Sequence, residues 1–332
     1  MGSQFVDLNA DGQLDYLSAT FDGSPHVSWG SEAGFAEPAR LVDGAGERLL
    51  VSYYWDYDQN AHLTTGRAMP DGKPAKLRGI SAVAMDWDGD GDLDLLLGSY
   101  EEGHLYVQMN EGSAQEPRFT GKNVRVLAGG VPLEDKAKMT APRLVDWDAD
   151  GDLDLVYGTF GGPDGGAGVY LLVNQGKDGA PSFAAPRTLL RVHGRSLPTS
   201  PSGPSEGLYP EVVDWDKDGD LDLIVGGYSR WRAEAPTLNE EEAAELARLR
   251  VAHEAAKAAA DEVSKAFNEK FNAEEAKAKT EEEKEVAFNR VYREFEDRLD
   301  AARKACGELQ QKIDVFDPPT KRTPAVWFFE RA

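Results

Sequence analysis

A single cysteine, Cys306, occurs in the 332 residues. It excludes an internal disulfide and any metal site built from several thiolates, and it leaves the redox compartment open. Histidine is nearly as scarce: His26, His62, His104, His193 and His253 show no HExxH or other ligand spacing. Basic charge is in deficit, with 36 Lys and Arg against 59 Asp and Glu and a formal net charge of −23. Nucleic acid and anionic membranes are bound through basic patches, so neither is expected as a partner. No apolar run approaches the roughly 18 residues of a spanning helix, which argues against membrane insertion. Met1-Gly2-Ser3-Gln4 leads into a strand-like segment without the basic and apolar regions of a signal peptide, so the signal of an exported form is expected to have been removed or to lie outside this sequence. There is no Gly-x-Ser-x-Gly elbow, Cys/His pair or phosphate loop. The Gly-rich stretch 161–168 reads as a hairpin loop between two strands.

What the chain has is a fourfold internal repeat. VDLNADGQLDYLSATF (6–21), MDWDGDGDLDLLLGSY (85–100), VDWDADGDLDLVYGTF (145–160) and VDWDKDGDLDLIVGGY (213–228) align without gaps, their first aspartates spaced 79, 60 and 68 residues apart. Short apolar runs enter and leave each acidic loop at strand length. A third strand follows at 104–110 and 169–174, each ending in Asn-x-Gly turn chemistry, and 119–127 and 183–192 supply a fourth. Four antiparallel strands per repeat predict a mainly β fold, a β-propeller of four recognisable blades over 4–231. The chain stops at a third strand, so the ring is either a small irregular one or part of a longer propeller. Residues 46–79 are too few for a blade and are expected to form a long loop.

After Tyr228 the composition turns to Ala, Glu and Lys, with no glycine from 233 to 306. Asn239 with Glu242 and Thr280 with Glu283 are capping-box starts for two helices. Apolar residues at 3/4 spacing, Leu246, Leu249, Val263 and Phe267 in one and Val291, Phe295, Leu299 and Ile313 in the other, predict an antiparallel helical hairpin at 238–314. It would project from the fourth blade as a possible arm for a protein partner. The segment 320–332, with its run AVWFFER, is expected to return as the blade's third strand.

Each loop reads D-x-[DN]-x-D-G-x-x-D, a spacing suited to calcium, which takes six to eight oxygen ligands at about 2.3–2.6 Å. Side chains at positions 1, 3 and 5 can turn inward, and glycine at 6 permits the sharp turn. Position 7 (Gln13, Asp92, Asp152, Asp220) would offer its backbone carbonyl, and the aspartate at 9 would close the shell. Position 12 is Ser18, Leu97, Tyr157 or Val225, never the bidentate Glu of an EF-hand. The pattern resembles the FG-GAP/VCBS repeats of integrin α-subunits and secreted bacterial proteins, over roughly 4–230 and 320–332. The resemblance implies about four calcium ions held by Asp7, Asn9, Asp11 and Asp15; by Asp86, Asp88, Asp90 and Asp94; by Asp146, Asp148, Asp150 and Asp154; and by Asp214, Asp216, Asp218 and Asp222. The first loop, with neutral Asn9, is expected to bind most weakly.

Such ions, each between two strands of one blade, are expected to be structural, and weak sites suit the near-millimolar calcium outside cells. An extracytoplasmic recognition or adhesion module with a protein or glycan ligand, and no enzyme activity, is the leading reading. The alternatives are a calcium-dependent polysaccharide lyase or other hydrolase on a propeller scaffold, and a propeller lectin presenting Tyr53, Tyr54, Trp55 and Tyr57 to sugars. Trp87, Trp147 and Trp215 share loop position 2 and are expected to pack between strands or blades.

Overall fold

The computed structural model describes residues 2–57, 61–63, 79–100, 103–161, 166–176, 181–192 and 197–331. The chain forms two compact units, one of residues 1–197, 201–230 and 322–332, the other of 198–200 and 231–321.

The first unit is built from antiparallel sheets, each strand pairing with the next in sequence. The first sheet holds β1 (Ser3–Val6), β2 (Asp15–Ala19), β3 (Pro25–Ser28) and β4 (Ala39–Arg40). A two-stranded pair follows, β5 (Tyr54–Asp56) with β6 (Ala61–Leu63). The second sheet holds β7 (Gly79–Met85), β8 (Asp94–Ser99), β9 (Leu105–Gln108) and β10 (Val124–Arg125), and a small hairpin of β11 (Leu127–Ala128) and β12 (Val131–Pro132) comes next. The third holds β13 (Ala141–Val145), β14 (Asp154–Gly158), β15 (Gly168–Leu172) and β16 (Arg187–Arg191). The fourth has three strands, β17 (Glu206–Val213), β18 (Asp222–Trp231) and the late-returning β19 (Lys321–Phe329).

Side chains alternate across each strand, so every sheet has two faces. Leu17 and Val27 of the first sheet pack with Ala82, Ala84, Leu95, Leu97 and Tyr106 of the second. Val83, Leu96 and Val107, on the second sheet's other face, meet Leu155, Tyr157 and Leu172 of the third. Val156, Val169 and Leu171 in turn meet Leu208, Leu223 and Val225 of the fourth. The core is thus three junctions between four sheets stacked in chain order. Burying side chains of this size contributes about 1.5–3 kcal/mol each.

Two expectations change. The expected loop at 46–79 contributes to the core, since Leu49, Leu50 and Val51 are buried, and it carries the β5–β6 pair; its residues 64–78 lie outside those described. The expected fourth strand at 119–127 shortens to β10, because Phe119 leaves the ladder to bridge singly to Asn110 and Asp43.

The second unit is a helical hairpin of α1 (Glu240–Glu275) and α2 (Glu281–Phe316), each 36 residues, or about 54 Å at 1.5 Å per residue. Asn239 caps α1 through a complete capping box: its Oδ1 accepts the Glu242 N–H at 3.0 Å, and its own N–H donates to Glu242 Oε2 at 2.9 Å. At α2 only half the box forms. Thr280 Oγ1 accepts the Glu283 N–H at 3.2 Å, while the Glu283 carboxylate accepts from Lys279 N–H at 2.6 Å. Val291, Phe295 and Leu299 bury against Val263, Phe267 and Phe271, and Leu246 and Leu249 against Ile313. Among the described residues, no helix is long and apolar enough to cross a membrane.

Candidate metal centres

The acidic loops, residues 7–15, 86–94, 146–154 and 214–222, each join the first and second strands of a sheet. They fold alike. The position-1 carboxylates accept backbone protons from across the loop: Asp7 from Asp11 and Gly12, Asp86 from Gly89, Asp90 and Gly91, Asp146 from Asp150 and Gly151, and Asp214 from Gly219. Position 5 accepts from the N–H of position 7, at 2.8 Å in the first loop and 3.0 Å in the others. Position 4 lies in the left-handed region in every loop, whether Ala10, Gly89, Ala149 or Lys217, and so does the position-6 glycine. Glycine is favoured at position 6 because a Cβ there would be strained.

This fold gathers carboxylates. Asp86, Asp88 and Asp90 each present an oxygen within 4.8 Å of one another, as do Asp214, Asp216 and Asp218. In the third loop the matching trio is Asp146, Asp148 and Asp154. All three clusters can hold a metal ion. In the first loop position 3 is an amide, and the Asn9 Nδ2 donates to Asp11 Oδ2 at 3.1 Å, joining two members of the expected ligand set.

The position-9 aspartate has a second task that the repeat pattern alone did not reveal. One oxygen accepts the N–H of loop position 2: Asp15 from Leu8, Asp94 from Trp87 and Asp154 from Trp147, each at 2.9 Å, and Asp222 from Trp215 at 3.0 Å. The other accepts an N–H at or beyond the end of the third strand: from Gly30 at 2.8 Å, Asn110 at 2.6 Å, Asn174 at 2.7 Å and Arg331 at 3.2 Å. All four aspartates are buried. Each therefore ties three strands of its sheet together whatever else it ligates. The Asn-x-Gly signal belongs to this network. Asn110 Oδ1 accepts from Gly112 and Arg118, and Asn174 Oδ1 from Gly176 and Ser182, which shapes the turn that delivers the backbone donor.

Burial pushes the Asp94 carboxyl up to about 6, against the Asn110 and Trp87 N–H bonds that pull it down, with Asp88 and Asp92 adding repulsion. Asp154 is raised by the same burial. Burial and then Asp90, Asp88 and Asp86 raise Asp92. Carboxylates this close repel one another in the absence of a cation. Asp214 and Asp220 each bury an Oδ1 that no donor among the described residues reaches. An all-oxygen donor set with buried, unpaired lone pairs fits a hard divalent cation.

The aromatic run lies in and around β5. Trp55 N–H donates to the Asp22 carbonyl at 2.7 Å, and the Arg48 guanidinium lies 3.9 Å over the Tyr54 ring, covering one of its faces. Tyr53 is half-buried and Tyr57 is exposed. Trp147 is buried, and the Trp87 ring packs 5.9 Å from Phe183. Trp215 departs from the expected packing, being 65% exposed. His104 is buried with Nδ1 2.8 Å from the Leu133 carbonyl, and His253 is half-buried on α1. His193 and residues 162–165 of the Gly-rich stretch lie outside the described residues, as does the His62 side chain.

Residues 86–157 and 146–225 match the family of FG-GAP-like repeats, each match beginning at the first aspartate of a loop. Over 247 residues, 68% of this chain, the sequence is 28% identical to integrin alpha-PS2 of Drosophila melanogaster. The matched chain spans 16% of that protein's length.

Proposed function

Because the chain carries FG-GAP-like repeats of the integrin-α type, we propose that it is a calcium-stabilised, propeller-type recognition or adhesion module that acts outside the cytoplasm. The observation that carries this reading is the convergence of loop carboxylates in three of the four repeats. Asp86, Asp88 and Asp90, Asp146, Asp148 and Asp150, and Asp214, Asp216 and Asp218 would hold the ions, with the position-9 aspartates closing each shell. Asp7, Asn9 and Asp11 would make a weaker fourth site. Calcium bound there neutralises carboxylates that otherwise repel, and so fixes the geometry of each strand pair.

The role proposed for the ions is structural, and the protein is read as a binder and not an enzyme. Each loop sits within one sheet, where its position-9 aspartate accepts backbone donors from the loop and from beyond the third strand. The ligand would be a protein, in keeping with the integrin likeness, or else a glycan. The test is a panel of extracellular-matrix proteins and glycans probed with the full chain, once loaded with calcium and once with chelator. Saturable binding to a panel member that chelator abolishes supports the reading. Turnover of a polysaccharide, or binding that is identical in chelator, contradicts it.

A further inference from the structure

The turn that follows the third strand is built the same way in the second and third sheets. Asn110 bridges to Phe119 and Asn174 to Phe183, and each asparagine Oδ1 accepts two backbone N–H groups of its own turn. The Glu111 N–H donates to the Arg118 carbonyl, as the Gln175 N–H does to that of Ser182. Each phenylalanine is buried and also bridges, in parallel, to a residue outside the turn: Phe119 to Asp43 and Phe183 to Ala128.

On this common frame the side chains diverge. Around the second-sheet turn stand Asp43, Glu111, Arg118 and Lys122; the equivalent places at the third are Ala128, Gln175, Ser182 and Pro186. Four ionisable groups at one turn are four neutral residues at the other, so the frame itself does not call for charge. The space differs as well. A Cβ on Gly129, beside Ala128, would lie 3.3 Å from the Ala185 Cβ, whereas one on Gly44, beside Asp43, would meet nothing within 4 Å. The four ionisable residues line a cavity of about 320 Å³ that opens to solvent. Among the described residues, Arg118, Lys122 and Glu111 have no ion-pair partner. In a chain of net charge −23 the general field repels anions, so two unpaired cations at one cavity give it a local selectivity of the opposite sign.

We propose that this cavity binds an acidic saccharide, a sugar unit bearing a carboxylate or a sulfate. The acid group pairs with Arg118 and Lys122, and ring hydroxyls donate to Glu111 and Asp43. The volume falls at the lower end of the roughly 300–1,000 Å³ of ligand pockets, room for about one or two sugar rings. A cavity edged by acceptors as well as cations favours a ligand rich in hydroxyl donors over an acidic peptide, whose side chains offer carboxylates alone. The inference rests on the recognition reading above and names a ligand class and a site for it.

Isothermal titration of the full chain in saturating calcium tests it, with trigalacturonate, sulfated maltotriose and plain maltotriose as probes. The expected result is saturable binding of one or both acidic probes, weakened by added salt, and none of plain maltotriose. The two acidic probes separate carboxylate from sulfate as the group received. Arg118→Ser, which copies the third sheet, and Lys122→Ala should each raise the dissociation constant at least about tenfold. Both should leave calcium stoichiometry and the melting curve unchanged. Failure of both acidic probes to bind overturns the proposal, as does binding that the two variants leave intact. Equally tight, variant-sensitive binding of a poly-glutamate peptide also overturns it, because the cavity would then take an acidic protein segment. None of these outcomes alters the result of the calcium-and-chelator panel, so the site and the recognition reading fail separately.

Discussion

The buried carboxylate of Asp154 accepts the Trp147 N–H at 2.9 Å through Oδ2 and the Asn174 N–H at 2.7 Å through Oδ1. A residue that the spacing marks as a metal ligand is thus also the staple between the loop and the end of the third strand. The same relationship holds at Asp15, Asp94 and Asp222.

Position 9 should therefore matter with or without metal. Asp154→Ala leaves two backbone donors without their acceptor and should cost about 2–4 kcal/mol even in chelator. Asp150→Ala, at an exposed position 5, should cost under about 1 kcal/mol in chelator and should abolish most of the calcium-dependent gain at its loop. Denaturant unfolding of both variants, with calcium and with chelator, checks the contrast.

The position-2 residues give a second prediction. Trp147→Ala removes a buried side chain from the junction between the third and fourth sheets and should cost about 3–5 kcal/mol. Trp215→Ala, at the equivalent but exposed position, should stay within about 0.5 kcal/mol in dilute solution. Equal losses at the two sites would contradict the stacking order described above.

The helical hairpin supplies a third. Its core is its own: Phe267 meets Phe271, Phe288, Tyr292 and Phe295 within 6.4 Å. Replacing residues 239–313 with a short Gly/Ser linker should leave a folded, calcium-responsive sheet unit, since loop-closure cost varies slowly with length. Circular dichroism should lose its helical signal while calcium still raises the melting temperature. An insoluble or calcium-insensitive product would contradict the division into two units.

The repeated parts were the legible ones. Four aligned copies of the loop fixed the first and second strands of each sheet, and capping residues with 3/4 spacing placed both helices. The short third and fourth strands of the first sheet, β3 and β4, carry no repeated signature, and neither does the core contribution of Leu49 to Val51, which depends on what lies across the sheet. The exposure of Trp215 was equally hidden, because its neighbours in sequence match those of buried Trp147. Only the stacking order distinguishes them. In the loops, the residue types gave the carboxylate clusters. The double role of position 9 needed the Asn110 and Asn174 turns in three dimensions.

Calcium titration of the metal-stripped full chain, by calorimetry with parallel melting curves, tests the central claim most directly. The account predicts three ions bound through the second, third and fourth loops, with a weaker fourth at Asp7, Asn9 and Asp11. Each site adds about 2.7 kcal/mol of stability at a hundredfold excess of calcium over its dissociation constant. Asp90→Ala or Asp218→Ala should each lower the stoichiometry by one, and Asp11→Ala should remove only the weak site. A metal-free chain that binds no calcium, with the same melting curve in calcium and in chelator, would contradict it.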